Sequence, residues 1–111
     1  MSLIKKSDKI FVAGHNGMAG SAICRSLINK DYCDEKFNGK LLVASRRELN
    51  LCDSLKVEDW FQSYRPDVVI LAAAKVGGIE GNRKYPADFI LENLKIQTNV
   101  IEQSWRSGVR R

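Results

Sequence analysis

The sequence predicts an α/β fold in which helices cover both faces of a parallel sheet. Short apolar runs rich in valine and isoleucine alternate with longer segments whose apolar residues recur at helical spacing. The first apolar run leads directly into Gly14, Gly17 and Gly20, where a buried strand would turn into a helix. With 111 residues, 44% of them hydrophobic, the chain can form one small domain with one core.

The first half of the chain predicts three strands and one helix. The run K-I-F-V-A at Lys9–Ala13 is typical of a buried strand, and Met18–Asn29 carries apolar residues on one helical face. The polar segment 30–39 predicts a surface loop. Residues 40–45, K-L-L-V-A-S, predict the second strand, and residues 49–51 predict a short third strand.

A second helix and a fourth strand follow. The helix over Ser54–Tyr64 begins after a good N-cap, Asp53 or Ser54, and ends before Pro66. Residues 67–74, D-V-V-I-L-A-A-A, form an apolar run that is too short to span a membrane. Its valines and isoleucine are typical of a central strand that is buried on both faces.

The last third of the chain predicts a loop and a long helix. Residues 75–88 contain three glycines and a proline, so a loop is expected there. Residues 89–107 carry apolar residues at helical spacing, and Gly108 follows as a C-cap. The alternation of strands and helices implies a doubly wound sheet. The chain is expected to hold roughly its first four strands and to stop, at Arg111, before the fifth main strand.

Composition and charge disfavour several classes of protein. The net charge is +5, but the basic doublets are separated by acidic residues and have no interleaved aromatic residues. Nucleic acid is therefore not an expected partner. No apolar stretch reaches the length of a membrane span, and the first eight residues lack the apolar core of a signal peptide.

Several conspicuous side chains receive structural interpretations. Cys24, Cys33 and Cys52 are odd in number and lack C-x-x-C spacing, which favours neither disulfides nor a metal site and fits a reducing cytoplasm. His15 is the only histidine, but it lies inside the glycine turn, where a structural role is favoured. Packing roles are also assigned to three large aromatic residues, Trp60, Phe61 and Trp105.

The glycine spacing predicts a site for a phosphate-bearing cofactor in a Rossmann-type fold. Gly14 would allow a tight turn, Gly17 would let the backbone approach a pyrophosphate, and Gly20 would let the helix pack on the strand. The helix that follows would direct its free N–H groups and positive dipole end at the anion. Asn16 and Met18 lie in the same loop, where their backbone N–H groups are placed to contact phosphate.

Two arginines after the second strand favour NADP over NAD. Dinucleotide enzymes specific for NAD carry an acidic residue there for the ribose 2′-hydroxyl, whereas NADP enzymes use arginine for the 2′-phosphate. Arg46 and Arg47 occupy this place, and no acidic residue ends the strand. For Arg47, an ordinary solvated pair with Glu48 nearby is a competing interpretation.

Three strings of residues resemble the N-terminal part of the GDP-L-fucose synthase family, which belongs to the extended short-chain dehydrogenase/reductases. They are residues 14–21 (G-H-N-G-M-A-G-S), 47–53 (R-E-L-N-L-C-D) and 72–89, which begins A-A-A-K-V-G-G-I and ends Y-P-A-D-F. The resemblance covers residues 9–109, and the third string is specific to the family, whereas the glycine loop is shared with many relatives.

The resemblance implies a reaction in two steps at one site. The family epimerises GDP-4-keto-6-deoxy-D-mannose at C3 and C5 and then reduces the C4 ketone with hydride from NADPH. A Tyr-x-x-x-Lys motif, a serine, a cysteine and a histidine carry the chemistry, all downstream of the region represented here. Tyr32 has Lys36 four residues later, but this match lies in the polar loop and is interpreted as a coincidence. No catalytic residue is assigned in this chain, which is expected to be inactive alone.

Further binding residues follow from the fourth strand and from the resemblance. Asn50 and Leu51 match the segment that walls the adenine, while Asp53 could belong to it or cap the next helix. Many family members carry a basic residue at the position of Asn16, so its absence puts more weight on Arg46. The predicted cofactor-binding residues are Gly14, Asn16, Gly17, Met18, Gly20, Arg46, Asn50, Leu51, Ala72, Ala73, Ala74 and Lys75.

Three hypotheses remain for the whole chain. The first is a disordered segment, residues 1–8, followed by an incomplete NADP-binding Rossmann domain, residues 9–111, of an enzyme acting on a GDP-sugar. The second is a stand-alone NADP(H)-binding module, and the third is a fragment of an NAD-dependent sugar-nucleotide epimerase, against which the string A-A-A-K-V-G-G-I argues. The resemblance implies a homodimer formed through a bundle that includes helix 89–107. Asn99 of this helix matches an asparagine common in these folds, and an ordinary solvated helix residue is the competing interpretation. The isolated chain is expected to be marginally stable and prone to associate.

Overall fold

The computed structural model describes residues 4–73 and 86–111 and confirms the α/β class. In the described residues three strands alternate with three α-helices: β1 Lys9–Ala13, α1 Met18–Asn29, β2 Lys40–Leu42, α2 Ser54–Tyr64, β3 Val68–Leu71 and α3 Pro86–Arg106. A short 3₁₀ helix, Glu35–Phe37, lies between α1 and β2. The strands form one parallel sheet in the order β2-β1-β3. All three strands end at the same edge of the sheet, here called the carboxyl edge, and begin at the opposite, amino edge.

The central strand β1 is buried on both faces because helices cover both sides of the sheet. Ile10 and Val12 pack on one side, with residues of α1, in what we call the α1-side core. Phe11 packs on the other side with Phe61 of α2 and Val100 of α3, in the α2/α3-side core. Successive strand residues point to opposite faces. A sheet covered on both faces therefore selects a continuous apolar run.

The predicted third strand at residues 49–51 is wrong, because this segment forms turns. The N–H groups of Glu48 and Leu49 donate to the carbonyl of Ser45, at 3.1 and 2.9 Å, and Asp53 N–H donates to the carbonyl of Asn50 at 3.0 Å. These local bonds use the donors that a strand would offer to a neighbour. Leu49 is nevertheless buried in the α2/α3-side core, which explains its apolar character.

Two other strands are shorter than predicted. β2 ends at Leu42 rather than at residue 45, since the chain leaves the sheet to enter the turn that begins at Ser45. β3 covers Val68–Leu71 instead of residues 67–74, because its partner β1 ends at Ala13 and turns away at Gly14. Three described strands thus replace the four that were predicted.

The first two helices have the predicted bounds. Asp53 is the N-cap of α2, and its carboxylate accepts from the N–H groups of Leu55 and Lys56 at 3.2 and 3.3 Å. This assigns the capping role that the sequence left open. None of the helices in residues 4–73 and 86–111 is long and apolar enough to cross a membrane.

The third helix is longer at its start than predicted. α3 begins at Pro86, so the last three residues of the predicted loop 75–88 are helical, and the rest of that loop lies outside the described residues. Gly108 follows its end with a φ of 78°. The N–H of Val109 donates to the carbonyl of Ser104 at 2.9 Å, which closes the helix in a Schellman-type cap. This confirms Gly108 as the predicted C-cap, although the helix ends at Arg106, one residue before the predicted end.

The end of the chain lies along β3. The N–H of Arg110 donates to the carbonyl of Asp67, and the N–H of Val69 donates to the carbonyl of Arg111, both at 2.9 Å. The segment runs in the same direction as β3, where the next parallel strand was predicted.

At the amino edge, Asp8 is buried and pairs with the Arg110 guanidinium. The predicted division between a disordered segment, residues 1–8, and a domain, residues 9–111, stays a prediction, although Asp8 itself packs with the domain.

Candidate cofactor-binding site

The turn after β1 has its shape because two glycines bring backbone segments into close contact. Gly14 has a φ of 94°, and a Cβ atom there would lie 2.6 Å from the backbone nitrogen of Ala73. A Cβ atom at Gly20, in the first turns of α1, would overlap the Gly14 carbonyl. Glycine is therefore required at both positions by the fold itself.

Gly17 differs from these two glycines. It is the N-cap of α1, has a φ of −75°, and donates its N–H to the carbonyl of Gly14 at 3.1 Å. A Cβ atom there would meet only the Gly14 carbonyl oxygen, at an ordinary 3.5 Å. The described part of the protein thus has room for a side chain at Gly17, and close approach of a ligand is what would demand glycine.

The start of α1 suits an anion. In α1 no side chain caps the first turn, and no acidic residue lies in it. The helix dipole concentrates positive partial charge at this end, and backbone N–H groups there are available to an incoming phosphate.

An open cleft of about 730 Å³ lies at the carboxyl edge and contains the glycine turn. Eight of the predicted cofactor-binding residues line it: Gly14, Asn16, Gly17, Arg46, Asn50, Leu51, Ala72 and Ala73. Met18 does not line it and is 92% exposed, and Gly20 is buried behind the turn. Ala74 and Lys75 lie outside the described residues. That these residues contact a cofactor stays a prediction.

Arg46 lies at the wall that follows β2. The turn that carries it is closed by Glu48, whose carboxylate accepts the N–H of Ser45 at 3.2 Å and whose own N–H donates to the Ser45 hydroxyl at 3.3 Å. Glu48 is therefore engaged in the turn, while Arg46 is exposed and lines the cleft. Arg47 is exposed and does not line it.

The opposite wall comes from α3 and was missed by the sequence reasoning. Glu92, Lys95 and Ile96 line the cleft, facing the turn that carries Leu51 and Cys52. Two contacts join the walls: Asn99 Nδ2 donates to the Leu51 carbonyl at 2.9 Å, and Cys52 Sγ donates to the Glu92 carbonyl at 3.8 Å. Helical periodicity predicts that α3 has an inward face but not which segment, some 40 residues earlier, this face contacts.

Four further residues, His15, Ala44, Leu49 and Cys52, also line the cleft without having been assigned to it. His15 lies in the glycine turn itself, as predicted. Tyr32, whose spacing to Lys36 was interpreted as a coincidence, packs against the α1-side core and does not line the cleft.

Two of the three cysteines belong to the α1-side core. Burial raises the pKa of the Cys33 thiol to about 11 and also raises the pKa of Cys24. Both thiols therefore stay protonated at neutral pH, which fits packing rather than chemistry. Across residues 4–73 and 86–111 no group of three His, Cys, Asp or Glu side chains is placed to hold a metal ion. The cytoplasmic location stays a prediction.

Comparison with known proteins identifies relatives of the chain. The model of the NAD dependent epimerase/dehydratase family matches residues 10–111. The chain is 48% identical to GDP-L-fucose synthase 1 of Arabidopsis thaliana over 99% of its own length and 32% of that protein. It is 47% identical to GDP-L-fucose synthase of Escherichia coli strain K12 over 94% of its length and 30% of that protein.

A solved structure shows the same fold. The GDP-mannoheptose C4 reductase MlghC from Campylobacter jejuni, determined with NADP bound, superimposes with a TM-score of 0.85 at 35% identity. The match covers 96% of this chain and 32% of that protein. The chain thus spans about a third of the length of the relatives it matches.

Proposed function

Since the chain belongs to the NAD dependent epimerase/dehydratase family, we propose that its cleft binds NADP as part of an enzyme that makes GDP-L-fucose. The substrate of that enzyme would be GDP-4-keto-6-deoxy-D-mannose. The observation that carries the proposal is the cleft itself, which joins the start of α1, the glycine turn and Arg46 at the carboxyl edge of a parallel sheet. Ligands of open α/β sheets bind at this edge. The identity to two GDP-L-fucose synthases supports the substrate.

The residues present fit a dinucleotide that carries a 2′-phosphate. The backbone around Gly17 and the first turn of α1 would hold the pyrophosphate, because a ligand can approach closely there. Arg46 would pair with the 2′-phosphate, since a guanidinium matches phosphate geometry with two parallel hydrogen bonds. The small side chains of Ala72 and Ala73 would leave room for a ribose.

When bound, NADPH supplies the hydride that reduces the C4 ketone. The residues of this chain would bind and orient the cofactor. The family's Tyr-x-x-x-Lys donor has no counterpart at the cleft, because the one tyrosine with this spacing, Tyr32, packs in the α1-side core. We therefore propose that these 111 residues bind NADPH without completing the reaction.

Cofactor titration of the 111-residue chain tests the proposal. NADPH should bind more tightly than NADH, and Arg46→Ala should weaken NADPH binding at least tenfold while changing NADH binding less than twofold, because only NADPH carries the 2′-phosphate. Arg47→Ala is the matched control and should leave both affinities unchanged. Preferential binding of NADH would favour the NAD-dependent alternative, and failure to bind either cofactor would overturn the proposal.

We also propose that the protein forms a homodimer through α3, as the family resemblance implies. Several large apolar side chains of this helix are exposed in the described residues: Ile90, Leu91, Leu94, Ile101 and Trp105. The packing role that the sequence predicted for Trp105 is wrong here, since Trp105 is 79% exposed. Sedimentation velocity should show a dimer that Leu94→Lys dissociates, whereas a monomer at all concentrations contradicts this proposal.

A further inference from the structure

We propose that Asn99 of α3 is a positioning residue that holds the turn carrying Leu51 in place as the adenosine wall of the cleft. This inference rests on the proposed NADP site. Asn99 does not line the cleft, so it acts through the backbone of Leu51 rather than by touching the ligand.

The two walls of the cleft are joined at two points along α3. Asn99 Nδ2 donates to the Leu51 carbonyl at 2.9 Å, and Cys52 Sγ donates to the Glu92 carbonyl at 3.8 Å. Positions 92 and 99 are seven residues apart, which is roughly two helical turns or about 10 Å along the axis. Ile96, on the same face between them, is buried and lines the cleft. Two neighbouring residues of the turn, Leu51 and Cys52, are thus hydrogen-bonded to the same face of α3 at positions two helical turns apart.

The turn lies outside the sheet, so its place depends on these two contacts and on the packing of the Leu49 and Leu51 side chains in the α2/α3-side core. Its own hydrogen bonds are local: Cys52 N–H donates to the Asn50 side-chain oxygen, and Asp53 N–H donates to the Asn50 carbonyl, both at 3.0 Å. Such bonds fix the shape of a turn but not its place in the protein. That place is set by what the turn packs against. The Asn99 amide is the stronger of the two attachments, since a thiol is a weak donor.

A positioning role predicts an effect confined to one half of the cofactor. NADPH combines an adenosine half, which carries the 2′-phosphate, with a nicotinamide half. Adenosine 2′,5′-bisphosphate contains only the first half, and reduced nicotinamide mononucleotide only the second. Displacement of the Leu51 turn should weaken binding of NADPH and of adenosine 2′,5′-bisphosphate by the same factor.

The experiment measures these affinities by calorimetry for the 111-residue chain and for Asn99→Ala. Loss of one partly buried hydrogen bond should raise both dissociation constants by about three- to tenfold and leave the mononucleotide unaffected. Gln97→Ala is the matched control, because Gln97 is an exposed amide on the same helix that does not line the cleft. Asn99→Asp, which keeps the shape but removes the donor, should behave as Asn99→Ala.

A merely structural role would lower the melting temperature of Asn99→Ala without changing the affinity of the folded protein for adenosine 2′,5′-bisphosphate. That result overturns the positioning role while wild-type NADPH binding still supports the proposed function. If wild type binds neither ligand, both proposals fail.

If the variants do not fold, hydrogen exchange in the wild-type chain tests the inference instead. Adenosine 2′,5′-bisphosphate should slow exchange of the Cys52 and Asp53 amides, and unchanged exchange there overturns the inference.

Discussion

The two edges of the sheet use their polar groups in opposite ways. At the amino edge, charged side chains make contacts within the protein: the Asp8 carboxylate pairs with Arg110, and the Asp67 carboxylate accepts the N–H of Lys9 at 2.8 Å. At the carboxyl edge, the start of α1 has no side-chain cap, and Arg46 faces an open cleft. The three strands thus begin at an edge where charged groups pair within the protein and end at an edge that carries an open cleft.

This difference predicts that the amino edge contributes to stability and the carboxyl edge to the proposed binding of cofactor. Groups at the amino edge are satisfied within the chain, so changes there should alter the free energy of unfolding and not the affinity for cofactor. At the carboxyl edge, Gly14 and Gly20 shape the turn, whereas Gly17 and Arg46 are residues for which we propose a ligand. The following substitutions test that division.

The largest effect is expected for Gly20→Ala, which should lower the free energy of unfolding by about 3 kcal/mol or more. A Cβ atom at this position overlaps the Gly14 carbonyl, so α1 must move away from the turn. Urea denaturation measures the loss. A variant as stable as wild type would show that the close contact between α1 and the glycine turn is absent in solution.

At the amino edge, Asp8→Asn should lower the free energy of unfolding at pH 7 by about 1–2 kcal/mol, because it removes the charge that pairs with Arg110. Burial alone would raise the pKa of Asp8. The Arg110 guanidinium and the Lys5 N–H outweigh it and hold the pKa below its usual 3.8. A lowered folded-state pKa stabilises the protein above that usual value and ceases to do so as pH falls through the folded pKa.

Urea denaturation of Asp8→Asn at pH 7, 5 and 3 measures this dependence. The wild type should lose more stability than the variant between pH 5 and 3, while affinity for NADPH at pH 7 should be equal in both. Asp59→Asn, an exposed carboxylate of α2, is the control and should change neither. Parallel pH profiles for wild type and Asp8→Asn would contradict the ion-pair account.

Gly17→Ala should give the smallest change in stability and a clear change in binding. The described protein accommodates a Cβ atom there, so the free energy of unfolding should change by less than about 0.5 kcal/mol. NADPH affinity should fall about tenfold, since the methyl group would occupy space next to the pyrophosphate. Unchanged affinity would show that the pyrophosphate does not bind next to Gly17. Gly20→Ala is the comparison, because there the expected change is in stability.

Sequence patterns correctly predicted those helices and strands whose bounds depend on residues close together in the chain. The bounds of α1 and α2 follow from apolar periodicity and from capping residues such as Asp53. The strand predicted at residues 49–51 was wrong because alternation of apolar residues does not reveal that backbone donors bond within a turn. The Leu49 side chain is buried, but the hydrogen bond from its N–H group to the Ser45 carbonyl sets the direction of its backbone.

The candidate site likewise has one part that the sequence predicted and one part that it did not. Eight of its predicted residues line the cleft. Six of them were predicted because they follow strands, and parallel strands bring their ends to one edge, whereas Asn50 and Leu51 were predicted from the family resemblance. The α3 wall, with Glu92, Lys95 and Ile96, carried no such signal. A helix face that mixes polar and apolar residues shows the same sequence pattern whether it lines a ligand site or packs on a loop.

Sequence patterns were enough to predict the strand–turn–helix unit, the need for glycine at position 14 and an arginine in the segment after β2, because each depends on sterics or chemistry within a few residues. In contrast, no pattern in the sequence predicted that α3 forms one wall of the cleft or that Asn99 contacts Leu51, 48 positions earlier. Local preferences act through neighbouring backbone atoms, and they are therefore visible in a short stretch of sequence. A contact between distant segments exists only once the sheet and both of its helical layers have assembled.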